Sequence, residues 1–191
     1  MSDNFQKYGH LFQVDLEHFD DLFSLLKTTT LEKSEFFLQQ EEKCEYIAFT
    51  KNGTLRSFHS NENGNEISFN FHFTNQFFTD YESLLFDKKS KLNIQAIHKS
   101  ELFLLHKDDL KNLYNKGIYW QEFGRKTKEK LYIDAKKRIE DLLYFTPEKR
   151  YTNLLNENPL IFQEINQKHV ASYLGITPQS LSRIRKRIFI S

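Results

Sequence analysis

The hydrophobic rhythm of the chain changes three times. Between about Leu11 and Thr29, the residues Leu16, Phe19, Leu22, Phe23 and Leu26 recur at helical steps, which predicts an amphipathic helix. From Phe36 to His106 the rhythm shortens. Segments rich in aromatic and β-branched residues follow one another there, at Tyr46–Thr50, Leu55–His59, Ile67–Phe73, Leu92–Ile97 and Leu102–Leu105. Asn52-Gly53 and Asn63-Gly64 lie between some of them, and Asn-Gly readily adopts the positive φ that hairpin turns demand. Ile67, Phe69, Phe71 and Phe73 alternate with Ser68, Asn70 and His72, so one buried and one wetter face are expected. Together these strands predict a small antiparallel β-roll.

After a connecting stretch with Leu110, Leu113 and Tyr114, helical spacing returns from Ile118 to Phe145. Phe123, Thr127, Leu131, Ala135, Ile139 and Leu142 form its stripe. A helix of this length outruns one small domain. Its stripe could lie on the roll or pair with the same stripe of a second copy around a two-fold axis. At its start, Trp120 with Tyr119 and Phe123 is expected to pack under the roll, the alternative being the wall of a small apolar pocket.

The last rhythm runs from Asn166 to Ile188 and reads as a helix-turn-helix. Asn166 can cap a helix carrying Val170, Ala171 and Leu174 on one side, and Gly175 ends it. Thr177 followed by Pro178 opens the next helix, because proline at the first helical position lacks only an N–H that would be orphaned there. Leu181, Ile184 and Ile188 should face the core, while Gln179, Arg183 and Arg187 stand four apart on another face. Two helices joined by a glycine are common in plain packing. Here the cluster Arg183, Arg185, Lys186 and Arg187 contains no acid and Ala171 permits a close crossing, which points toward DNA. Asn156–Pro159 reads as a turn inside this unit.

Composition adds limits. The 191 residues can bury a useful core, and a formal net charge of +1 hides scattered acids upstream of a purely basic final helix. The single cysteine, Cys44, cannot close an intramolecular disulfide and reads as a small packing residue in a reducing compartment. One cysteine also excludes an iron–sulfur sensor. His59, His72 and His98 fall in separate strands without paired ligand spacing, so no metal is expected. No apolar stretch is long enough to span a bilayer and Met1–His10 is not signal-like, which predicts a cytoplasmic protein.

The run QKHVASYLGITPQSLSRIRKRI resembles the DNA-binding end of the Crp/Fnr family of bacterial transcription regulators, in the form common among Bacteroidetes. TPEKRYTNLL, from Thr146 to Leu155, is similar to the helix that precedes the motif in that family, and weaker similarity reaches upstream to about residue 36. The resemblance implies an α+β chain: a cyclic-nucleotide-binding-like β-roll over residues 1–117, a dimerisation helix over 118–145 and a helix-turn-helix domain over 146–191. Its seam would carry Leu131, Ala135, Ile139 and Leu142. Arg183 matches the family's base-reading arginine and could pair bidentately with guanine; Gln179 could pair with adenine, and Ser182 could take either role. Lys168, His169, Thr177, Ser180, Lys186 and Arg187 are better suited to phosphates. The partners implied are a second copy, double-stranded DNA with a near-palindromic site, RNA polymerase and an unknown small-molecule effector. With Ser191 following the last helix so closely, the β-wing of many relatives is expected to be missing, which would limit affinity.

Family members that bind cyclic nucleotides hold the phosphate with a Gly-Glu pair and, later, an arginine. Laying the chain on that pattern puts Thr79 at the glycine, Asp80 at the glutamate and Ser90 at the arginine. A shift of one residue offers Lys89 or Lys91, neither with a planar fork. Cyclic AMP is therefore not the expected signal, and no cofactor is expected. Two other classes compete with this reading: a helix-turn-helix that binds protein instead of DNA, and a cupin-like enzyme, for which no His-x-His pair exists.

Overall fold

A computed structural model describes residues 3–159 and 161–190. Where one helix was expected from Leu11 to Thr29, there are two, α1 (Asp3–Phe12) and α2 (Leu16–Phe23), followed by strand β1 (Lys27–Leu31). Gln13 interrupts the helix with a left-handed φ of 55°. The three threonines 28–30 are β-branched and pair with β8 instead of extending the helix.

The roll then adds β2 (Phe36–Leu38), β3 (Tyr46–Asn52), β4 (Leu55–Ser60), β5 (Glu66–His72), β6 (Phe77–Phe78), the short helix α3 (Tyr81–Phe86), β7 (Asn93–Ala96) and β8 (Ser100–His106). Two four-stranded antiparallel sheets result, in the orders β1-β8-β3-β6 and β2-β7-β4-β5. Leu38, Ala48, Leu55, Phe78, Ile94 and Leu102 fill the space between them, with Cys44 buried among them. At the β3–β4 turn only glycine fits: Gly53 has φ 109°, and a Cβ there would stand 2.7 Å from the Lys99 carbonyl oxygen.

Each sheet is also covered on its outer face. On the first, Phe49 and Phe103 pack against Tyr8, Phe12 and Phe19 of α1 and α2, together with Leu110 and Leu113 of α4 (Lys107–Asn115) and Trp120 of α5 (Ile118–Tyr144). Tyr119 and Phe123 join this cluster, as expected of an anchor under the roll. Beyond this anchor α5 leaves the roll, and its second half meets the C-terminal helices where Lys137 bonds Glu157 and Arg138 the Tyr173 carbonyl. Leu131, Ile139 and Leu142 are exposed, and so is Ala135.

The second sheet is covered by the C-terminal helices: α6 (Pro147–Glu157), α7 (Ile161–Glu164), α8 (Gln167–Tyr173) and α9 (Pro178–Ile190). Tyr151, Ile161, Val170, Ala171, Leu174, Leu181 and Ile184 make their core, and Phe71 of β5 is part of it. This arrangement overturns the simple alternation expected along β5. Phe71 is buried, but Ile67 and Phe69 are 52% and 60% exposed, whereas Ser68 and His72 are buried. A register shift opposite Ser57/Phe58 breaks the period, so that Ser68 is buried against α8 and His72 against β4. Ser68 bonds to α8, and His72 bonds inward to the Ser57 hydroxyl at 2.6 Å. Ile188, expected in the core, is 37% exposed. The seven-residue α8 covers only about two turns of α9, and Ile188 lies beyond it.

Candidate nucleic-acid interface and the interior of the roll

The α8–α9 pair is built from caps. The Asn166 side chain accepts the Lys168 N–H at 3.0 Å and starts α8. Gly175, with φ 68°, ends it: the Gly175 N–H reaches the Ser172 carbonyl and the Ile176 N–H the Ala171 carbonyl, each at 3.0 Å. The Thr177 hydroxyl accepts the Ser180 N–H at 3.2 Å and donates to the Ser180 hydroxyl at 3.0 Å, with Pro178 next in line. Two of the residues predicted to hold phosphates thus also cap α9. Leu181 and Ile184 pin α9 to α8, with Ala171 fully buried at the crossing.

The opposite face of α9 is open. Gln179, Ser182, Arg183, Lys186 and Arg187 are all exposed. Arg187 also pairs with Glu148 of α6 at 3.2 Å. Arg185 is different: its guanidinium turns back over the Phe162 ring at 4.9 Å, so the basic cluster divides into an outward group and one inward arginine. On α8, Lys168 is exposed, whereas His169 is half-buried against the roll. Burial, with the charges of Arg56 and Lys168, pushes the His169 pKa down to about 4, so its imidazole is neutral near pH 7.

The contact that buries His169 joins α8 to the roll. Ser68 donates its hydroxyl to the His169 carbonyl at 2.9 Å and its N–H to the Ser172 hydroxyl at 3.0 Å. Arg56, whose side chain is buried, donates to Glu66 at 2.7 Å and approaches His169 Nε2 at 3.5 Å. Partial burial raises the Glu66 carboxyl, but the bond to Arg56 and its charge outweigh that and leave it below the ordinary range. Lower down, Glu164 accepts from the Thr54 hydroxyl at 3.0 Å, and its carbonyl meets His98 Nε2 at 2.8 Å. Nothing in the sequence pattern separates Arg56 or Ser68 from ordinary strand residues. Their partners on α8 are more than 100 positions away.

Inside the roll, Asp80 and Ser90 come together. The Ser90 hydroxyl donates to Asp80 Oδ2 at 2.7 Å and accepts the Leu92 N–H, while Asp80 Oδ1 accepts the Ser83 N–H and caps α3. Both residues are buried. Thr79 donates to the Tyr46 carbonyl at 2.9 Å. The three positions aligned with a phosphate site are therefore bonded to the chain itself. Lys89 and Lys91 point outward and pair with Glu41 and Glu82. The three strand histidines have separate environments: His59 on the Lys91 carbonyl, His72 on Ser57 and His98 on Glu164. Burial lowers the His72 pKa to about 3 and keeps it neutral. Among the described residues no group of three or more His, Cys, Asp or Glu could hold a metal ion.

Residues 28–116 match the family model of the cyclic nucleotide-binding domain. Solved structures align over most of the chain. FixK2 from Bradyrhizobium japonicum is 18% identical, covering 86% of this chain and 85% of its own, with a TM-score of 0.73. A protein from Eubacterium rectale assigned as a transcriptional regulator of the crp/fnr family is 17% identical, covering 93% and 85%, with a TM-score of 0.69. The fold is that of the Crp/Fnr regulators. The catabolite activator protein of Thermus thermophilus, at 18% identity, aligns over 93% of this chain and 85% of its own with a TM-score of 0.53. No curated protein matches the chain in sequence. Among the described residues no helix is long and apolar enough to cross a membrane.

Proposed function

We propose that this chain is a homodimeric, sequence-specific regulator of transcription that binds double-stranded DNA in the cytoplasm and is not an enzyme. The observation that carries the reading is the open polar and basic face of α9, held by a capped and tightly packed α8–α9 pair. A helix entering the major groove needs such a face on one side and a fixed support on the other. Arg183 reads a base bidentately, Gln179 reads a second, and Ser182 borders both. Lys168, Lys186, Arg187 and the cap residues Thr177 and Ser180 hold phosphates. His169 is neutral, with Nε2 facing the Arg56 guanidinium, and brings no charge to a phosphate. The exposed stripe of α5 pairs with its twin, so that two α9 helices face successive turns of a near-palindromic site. The roll is a degenerate cyclic-nucleotide domain with no role for cyclic AMP. RNA polymerase and an effector of unknown chemistry are the further partners this reading allows.

The second reading, a helix-turn-helix that binds protein, draws support from α8, which already holds a protein surface in the roll. Two variants separate the readings. Arg183→Ala should cost about 1–3 kcal/mol on the preferred duplex and relax preference at one base pair. Lys186→Ala should weaken all duplexes alike and lower the salt slope by roughly one. Equal losses for Arg183→Ala on preferred and random DNA would remove it from base reading, and binding without salt dependence would favour the protein partner.

A further inference from the structure

Three helix ends meet at one side chain. The last carbonyls of any α-helix lack intrahelical partners and carry the negative end of its dipole. Arg150, in the first turns of α6, donates from Nη1 to the carbonyls of Leu142 and Phe145 at 3.3 and 2.9 Å, where α5 ends. It donates from Nε to the Leu174 carbonyl at 3.1 Å, where α8 ends. A planar guanidinium can serve acceptors in these divergent directions at once; an ammonium on a flexible stem cannot hold the same fork. The turn itself lies against this joint, for a Cβ on Gly175 would stand 3.6 Å from Leu142 Cδ2 and 3.9 Å from Arg150 Nη2. Arg138 of α5 supports it, stacking 3.7 Å over the Tyr173 ring and donating to the Tyr173 carbonyl.

From this geometry we infer that Arg150 is a positioning residue: it fixes the angle between the long helix and the reading head, and so the half-site separation that the dimer recognises. The inference rests on the DNA-binding reading above. α9 follows directly from the Gly175 turn and is pinned to α8 by Leu181 and Ile184, so any rotation of α8 about the end of α5 swings the α9 face with it. In a symmetric dimer each head swings about its own α5, and a small angular freedom becomes a change in spacing between the two heads. Arg150 is only half-buried, so water can solvate the released carbonyls and the helices persist without it.

The test uses the full chain and a panel of duplexes carrying a selected half-site once, or twice at separations stepped by single base pairs. For wild type, a shift of two base pairs from the optimum should weaken binding at least about tenfold, because the heads no longer face the same side of the duplex. For Arg150→Ala and Arg150→Lys the same shift should cost less than about threefold, with single-half-site affinity within about threefold of wild type. The lysine variant keeps the cation and loses the fork, and it carries the test should the alanine variant fail to fold. Retention of the sharp spacing optimum by Arg150→Lys would overturn the inference. So would an equal loss on single and paired half-sites, which marks a merely structural role. A wild type that binds neither kind of duplex would instead overturn the DNA reading beneath it.

Discussion

Asp80 and Ser90 satisfy each other inside the roll. A serine at the place of a phosphate-binding arginine is short enough to bond the neighbouring carboxylate, and the 2.7 Å bond between them leaves Asp80 occupied by Ser90 and by the α3 amide it caps. A cyclic phosphate entering there would leave water without a guanidinium to receive it and would have to break this pair. The deficit is roughly 2–5 kcal/mol, enough to turn micromolar affinity into millimolar. Calorimetric titration with cyclic AMP and cyclic GMP should show no saturable heat at micromolar concentrations and no change in DNA affinity. Tight saturation by either nucleotide would mean that Lys89, Lys91 or a moved loop supplies the missing charge. The resemblance points to Thr79, Asp80 and Ser90 from the sequence alone. That Asp80 and Ser90 would bond each other was not legible there, because it depends on α3 and the loop before β7 folding together.

Elements with a long regular period were read well, and those set by tertiary cover were not. The helix from Ile118 carries its spacing and the α8–α9 pair its caps and spacing, local signals that act over a few residues. β5 carries a clean alternation and does not follow it, because α8 covers one of its faces and a register shift breaks its period. The threonines before residue 31 look like the tail of a helix until β8 offers them a partner. On α5, the apolar positions Leu131, Ile139 and Leu142 meet water in the single chain, with Ile139 57% exposed. Such a stripe is stabilised by a twin that buries it. Replacing Ile139 with glutamate would place two like charges near the two-fold axis and should convert the dimer to a monomer while leaving the roll folded. Sedimentation velocity checks this. An unchanged dimer, or a wild type that stays monomeric at high concentration, would contradict the seam.

At the scale of the whole molecule, the reading head is held from two sides. Arg150 and Arg138 fasten it to the end of α5, and Ser68, Arg56 and Thr54 fasten it to the roll. Residues on the roll face of this joint gave no sign in the sequence, since polar residues in a strand are ordinary until a helix from far along the chain lies over them. The caps and the packing of α8 against α9 were legible in the sequence, because both act within a single short segment, whereas the exposure of Ile188, the burial of His169 and the inward turn of Arg185 depend on what packs around that segment. The proposed function requires that the open face of α9 read DNA as a two-fold pair. Selection of bound sites from a random duplex pool with the full chain tests this most directly. It should return a near-palindromic motif whose half-sites lie about one helical turn apart, 10–10.5 base pairs between centres, with binding that weakens steeply as salt rises. Recovery of sequences no different from the starting pool, or of a single unpaired half-site, would contradict it.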